Sequence, residues 1–185
     1  MTTPVQQGEP DDGGAGNSSI ASSLERLEAV ARKRPEFARD TYHSVTTLVD
    51  GLQCRSEERG WQVQSDLPAT IGGAGSGPTP GMLGRAALGS CLAMGYKLHA
   101  ERLGVQLTSI QIEVEADSDD AGMLFLDSEA RPGYSEVRYH VDIVSPEPEE
   151  LVLKVLDEGD ALSPYRDVFS QSTPMQRTTS IRHPA

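Results

Sequence analysis

The chain has 185 residues and a formal net charge of −12, from 28 acidic against 16 basic side chains, with a pI near 4.7. That length suffices for one domain with a real core, or one domain plus an extension. A polyanion of this sign is repelled by nucleic-acid phosphates and by anionic membrane surfaces, so neither nucleic acid nor a membrane is expected as a partner.

Residues 1 to about 18 are rich in Gly, Pro, Asp and Ser and read as a disordered tail. They carry no basic region followed by an apolar run, so no secretory signal is visible. No later apolar stretch reaches the roughly 18 to 20 residues that span a bilayer. A cytoplasmic protein is expected, with Cys54 and Cys91 reduced. Ser22 or Ser23 is positioned to cap a short helix through about Arg34, with Leu24, Leu27, Val30 and Ala31 at helical spacing and Pro35 as the stop. Residues 1–41 are thus a tail plus a short helix, and residues 42–185 form the folded domain.

That domain opens on strands. Residues 43–49 are β-prone, Asp50-Gly51 signals a turn, and residues 52–58 and 61–66 continue the sheet around Gly60. A Gly- and Pro-rich loop follows, then a helix with Thr79 as cap, Pro80 at its first position and Gly104 at its end. From Met82 to Met94 it is apolar nearly all round, which predicts burial. Its internal Gly84, Gly89 and Gly95 predict close packing against another backbone. Residues 109–116 alternate, with Ile110, Ile112, Val114 and Ala116 on one face. Residues 136–144 repeat the pattern, and the acidic residues 117–120 between them read as a loop. Ser145 is predicted to cap a second helix with Pro146 at its start and Leu151, Val152, Val155 and Leu156 as its buried stripe. Ser163-Pro164 starts a short segment, and residues 175–182 read as a final strand. The order β-β-β-α-β-β-α-β is an α+β arrangement.

Chemistry concentrates at Cys91, in the middle of the apolar helix. It has two readings: a reactive thiol, or a small buried hydrophobe. The histidines are placed on surfaces or at an interface, and His99 stands eight residues beyond the cysteine. There is no C-x-x-C or H-x-x-x-H spacing, so no metal site is expected, and no other cofactor. The Gly73-to-Gly77 run lacks the Lys of a phosphate loop, and Pro78 and Pro80 remove amide donors. The acidic helix over residues 147–160 reads as a solvated face.

The segment P-T-P-x-x-x-x-x-A-A-L-x-S-C (Pro78 to Cys91), then A-E-R-x-G (Ala100 to Gly104) and the strand at 110–114, resembles the OsmC/Ohr family. Residues 65–68 with Gly72-Gly73, residues 130–134 and the Ser163-Pro164 corner fit the same pattern, over roughly residues 43–182. The resemblance implies an OsmC-like fold, with two antiparallel sheets around buried central helices in an intertwined homodimer and sites at the subunit interface. It implies a thiol peroxidase acting on organic hydroperoxides, in which one cysteine attacks, a second resolves, and a glutamate and a hairpin arginine hold the thiolate. Cys91 matches the attacking cysteine; Ser163 stands where the resolving cysteine belongs and Gly81 where the glutamate belongs. Arg55 and Arg59 lie near the place of the arginine, and Cys54 shares their hairpin as a candidate resolving thiol. Two functions follow. One is a one-cysteine peroxidase in oxidative-stress defence, using Cys91 with Arg55 or Arg59 and an external thiol reductant. The alternative is a non-catalytic dimer that binds a small hydrophobic ligand or a partner.

Overall fold

Ser19, rather than Ser22 or Ser23, caps the first helix: its hydroxyl accepts the amide of Ser22 at 3.2 Å. The chain is still extended at Ser19 and winds from the next residue, while the Ser22 hydroxyl turns back onto the Ser19 carbonyl at 3.0 Å. Helix α1 therefore spans Ile20–Lys33 and closes at Arg34, and Pro35 begins a single 3-10 turn. This computed structural model describes residues 19–124, 126 and 129–183; the tail expected over residues 1 to 18 lies outside the described residues.

Strands β1 (Val45–Asp50), β2 (Gln53–Glu58) and β3 (Trp61–Ser65) form an antiparallel sheet in the order β1-β2-β3. Glu58 pairs with Trp61 around a two-residue loop, Arg59-Gly60. Both loop residues have positive φ, 47° and 82°, as a right-twisted hairpin requires. Leu48, Cys54 and Ser65 lie abreast across the three strands.

The connection to the long helix is wound around a buried carboxylate. Asp66 accepts the amides of Leu67 (2.8 Å), Ala74 (3.1 Å) and Ser76 (3.0 Å) and the Ser76 hydroxyl (2.8 Å). These donors, Ser76 foremost, hold its carboxyl below the usual carboxylate range. The glycine-rich loop thus spends its amides on the chain's own aspartate, which explains why it is no phosphate cradle.

Helix α2 (Pro80–Leu103) has the expected ends. Thr79 Oγ1 accepts the Met82 amide at 3.3 Å, and Gly104 closes the helix in the left-handed region. One stripe of it, Leu88, Leu92, Tyr96 and Ala100 at four-residue steps, forms the centre of the core with Val105, Leu107 and Val155. Strands β4 (Ser109–Ser118) and β5 (Tyr134–Val144) cover that stripe in clean register, with Ile110 opposite Ile143, Ile112 opposite Val141 and Val114 opposite Tyr139. The glycines of α2 are not demanded by backbone contact within the chain: a Cβ at Gly89 would meet the Val114 side chain at an ordinary 3.5 Å, one at Gly84 the Phe169 ring at 3.8 Å, and one at Gly95 nothing within 4 Å among the described residues. The other side of α2 is left open by its own chain, with Met94 65% exposed and Met82 and Leu98 also exposed. The β1–β3 sheet is equally uncovered, with Leu48 at 62% and Trp61 at 66%.

Several local expectations are corrected. Asp117 and Ser118 extend β4, and residues 120–123 form a short helix, α3 (Asp120–Met123), capped by Asp119, so the acidic segment is not a plain loop. Helix α4 spans Glu149–Ala161 and starts after Pro148 rather than at Pro146. Ser145 is diverted: its hydroxyl donates to the Gln106 carbonyl at 2.6 Å and accepts the Glu147 amide at 3.1 Å. The inward side of α4 is Val152, Val155, Leu156 and Gly159, while Leu151 faces out. Residues 171–183, following α5 (Pro164–Ser170), form no strand; they are exposed throughout and pair with no sheet edge of their own chain. The fold is α+β, with two small antiparallel sheets and helices.

Candidate functional site

Cys91 is half-buried on α2, and its Sγ lies 3.6 Å from Ser163 Oγ, with either atom able to donate. Ser163 is 5% exposed and caps α5, accepting the Arg166 amide at 3.3 Å. That amide occupies one of its two lone pairs, so the hydroxyl keeps both a proton to give the sulfur and a lone pair to accept from the thiol. The position that the family pattern assigns to a second cysteine is therefore beside the first in space, 72 residues away in sequence. A hydroxyl there can donate to a thiolate but cannot form a disulfide.

Behind this pair lies a polar cluster that the sequence reading missed. Asp160, at the end of α4, accepts Tyr96 Oη at 2.6 Å and Tyr139 Oη at 2.7 Å. Arg166 Nε donates to Tyr139 Oη at 3.2 Å and its Nη1 to the Asp160 carbonyl at 3.5 Å. Burial pushes the Tyr96 phenol up from its ordinary value of 10.0, with the Asp160 hydrogen bond adding to it; Tyr139 is raised for the same two reasons. The acidic helix is thus not a uniformly solvated face: its last carboxylate is turned inward. The available signal was the pair of tyrosines on otherwise apolar stripes, whose hydroxyls demand partners.

Where the family pattern implies a glutamate, the corner at Gly81 is built differently. Tyr134 Oη donates to the Gly81 carbonyl at 3.2 Å and accepts Arg85 Nη1 at 2.8 Å. A Cβ at Gly81 would stand 3.1 Å from that hydroxyl. The Arg85 guanidinium also lies over the Tyr134 ring, 5.9 Å from its centroid, and the ring stacks on Phe169 at 6.3 Å. Arg85 thus serves Tyr134.

The arginines named from the sequence sit elsewhere in the single chain. Arg55 pairs with Glu57 at 3.0 Å along its own strand. Arg59, at the hairpin tip, pairs with Asp40 at 3.0 Å and covers the Tyr42 ring at 5.4 Å. Neither has a bond to Cys91 among the described residues. Cys54 lies on the same sheet, and both cysteines are free thiols. His99 lies between α2 and α4, 4.0 Å from Glu158. No group of His, Cys, Asp and Glu able to hold a metal occurs among the described residues, and no helix among them is long and apolar enough to cross a membrane.

A family model described as OsmC-like protein matches residues 73–177. No curated protein matches the chain. Among solved structures, an OsmC-like protein from Mycoplasma pneumoniae is similar at a TM-score of 0.61 and 16% identity, over 70% of this chain and 87% of that one. An organic hydroperoxide resistance protein OsmC from Legionella pneumophila is similar at 0.54 and 16%, over 71% and 92%. One from Elizabethkingia anophelis is similar at 0.52 and 16%, over 71% and 89%. At these identities the likeness is one of fold.

Proposed function

The chain belongs to the family of OsmC-like proteins, and from that premise we propose that it reduces organic hydroperoxides through the single cysteine Cys91, in oxidative-stress defence. The observation that carries this reading is the 3.6 Å contact of Cys91 Sγ with Ser163 Oγ. A hydroxyl donor beside the sulfur stabilises the thiolate, the form that attacks peroxide. Solved relatives of the same fold from Legionella and Elizabethkingia are hydroperoxide resistance proteins, which supports the substrate class.

The thiolate attacks one peroxide oxygen, the O–O bond breaks, and the alkoxide takes a proton and leaves as the alcohol. Cys91 is left as the sulfenic acid, oxidised by two electrons. With serine at position 163, an external thiol attacks the sulfenic sulfur and releases water. A second thiol then releases Cys91 from the mixed disulfide. Both reductant thiols end as a disulfide, which balances the two electrons of the peroxide. A reducing cytoplasm supplies such thiols.

The active form is a homodimer. The open side of α2 and the uncovered β1–β3 sheet are the surfaces that a second copy covers. In that assembly Arg55 or Arg59 reaches the Cys91 site from the hairpin and adds positive charge beside the thiolate.

The test is consumption of cumene hydroperoxide with dihydrolipoamide or another thiol as reductant, with dimedone capture of the sulfenic acid. Turnover and the Cys91 adduct are expected, and both vanish in Cys91→Ser. A wild-type protein that turns over no hydroperoxide with any of several thiols overturns the reading. A second reading, a non-catalytic dimer that binds a small ligand or partner, rests on the Gly81 corner. There the tyrosine–arginine pair occupies the space of the carboxylate that the family pattern implies. Absence of both turnover and adduct would favour it.

A further inference from the structure

A cavity of about 520 Å³ opens between β5, α5 and the Leu88 face of α2, a volume in the range of small-molecule sites. Its apolar walls are Leu88, Val137, Val168 and Phe169. Its charged groups among the described residues are Arg131, Arg166 and Glu136. This balance runs against the chain, which carries 28 acidic and 16 basic residues. The one acidic group is already paired, with Arg138 at 3.1 Å. Arg131 has no hydrogen bond or ion pair among the described residues, and Arg166, bonded to Tyr139 and the Asp160 carbonyl, has no carboxylate within ion-pair distance among them. Asp160, the nearest acid to Arg166 in the cluster, spends its oxygens on two tyrosine hydroxyls. Arg166 is held in place by Tyr139 and the Asp160 carbonyl, so its guanidinium is oriented before any ligand arrives.

We propose that this cavity binds a small amphipathic carboxylate, with its charged end on Arg131 and Arg166 and its apolar body on Leu88, Val137 and Phe169. With Glu136 already paired to Arg138, the two guanidinium groups are the charges left to meet an anion among the described residues. The planar fork of arginine fits a carboxylate in two-point contact. The apolar walls favour a chain or ring over a small hydrated acid. This site does not require Cys91 to be reactive, so it stands apart from the peroxidase reading.

The experiment is titration of the full-length protein with octanoate and with octanamide, its neutral counterpart, followed by calorimetry and by NMR of the aromatic side chains. Octanoate should saturate at one per chain, perturb Tyr134 and Phe169, and bind about tenfold more tightly than octanamide, the effect of one charge-assisted contact. Arg131→Gln should weaken octanoate about fivefold or more and leave octanamide unchanged; its side chain has no hydrogen-bond or ion-pair partner to lose among the described residues. Arg166→Lys should also weaken octanoate by removing the fork while keeping the charge. Cys91→Ser should bind as the wild type does, so that loss of peroxidase activity and loss of this site are read separately. Equal binding of the two probes, an unaltered affinity in Arg131→Gln, or no perturbation of Tyr134 and Phe169 because a second copy seals the cavity would each overturn the proposal.

Discussion

The hydroxyl of Ser163 sits 3.6 Å from the thiol of Cys91 while accepting the Arg166 amide at 3.3 Å. One oxygen therefore ties the start of α5 to the middle of α2, and the thiol has a hydrogen-bonding neighbour fixed at a helix cap. Ser163→Ala removes that hydroxyl without adding bulk. Iodoacetamide should alkylate Cys91 at neutral pH about five- to tenfold more slowly in the variant, the effect of losing a hydrogen bond of about 1 kcal/mol to the charged form. An unchanged rate would show that the hydroxyl does not serve the thiolate.

Ser163→Cys should restore a two-cysteine site. With the two side-chain atoms already in contact, mild oxidation should link positions 91 and 163 within one chain, visible as a cross-linked peptide in a non-reducing digest. Hydroperoxide turnover should then proceed with a dithiol and yield no lasting dimedone adduct.

Gly159 on α4 faces the Tyr96 ring so closely that an added Cβ would stand 2.5 Å from its Cδ1. The ring is 1% exposed and its hydroxyl is committed to Asp160, so it cannot swing away. Gly159→Ala should cost about 1–3 kcal/mol in urea unfolding, the usual price of overpacking a core.

Tyr96 and Tyr139 carry a pH dependence of stability. Their phenols are raised above the ordinary 10.0, so the native state holds their protons more tightly than the unfolded chain does. The resulting stability is fully present below pH 10 and is lost as the pH rises beyond it. The stability of Tyr96→Phe should therefore fall less steeply as the pH rises above 10. That variant starts about 1–2 kcal/mol lower, because it leaves Asp160 one donor short.

The single tryptophan, Trp61, is 66% exposed on the uncovered sheet, as Met94 is on α2. On the dimer proposed above, sedimentation should give twice the chain mass, and Trp61 emission should shift to longer wavelength on dilution. Met94→Asp should yield monomers, because a carboxylate buried at such an interface lacks a partner. A wild-type monomer at every concentration would overturn the dimer.

The sequence by itself determined the elements whose signals are local. Thr79, Pro80 and Gly104 set both ends of α2, because caps act within one turn. Strict alternation placed Ile110, Ile112 and Val114 on the inner face of β4, because strand side chains have a period of two. Ser163 before Pro164 marked the start of a short segment, which folds as helix α5, and the order of motifs around Cys91 pointed to the family. Only the tertiary structure decided which polar groups meet. The contact of Cys91 with Ser163 spans 72 residues, and that of Tyr96 with Asp160 spans 64. No periodicity encodes such distances; they arise from the way α2, α4 and α5 pack. The same holds for residues 175–182, which read as a strand yet remain unpaired and exposed in the single chain. A strand exists only where a neighbour supplies its backbone hydrogen bonds, and that neighbour is a property of the fold rather than of the segment.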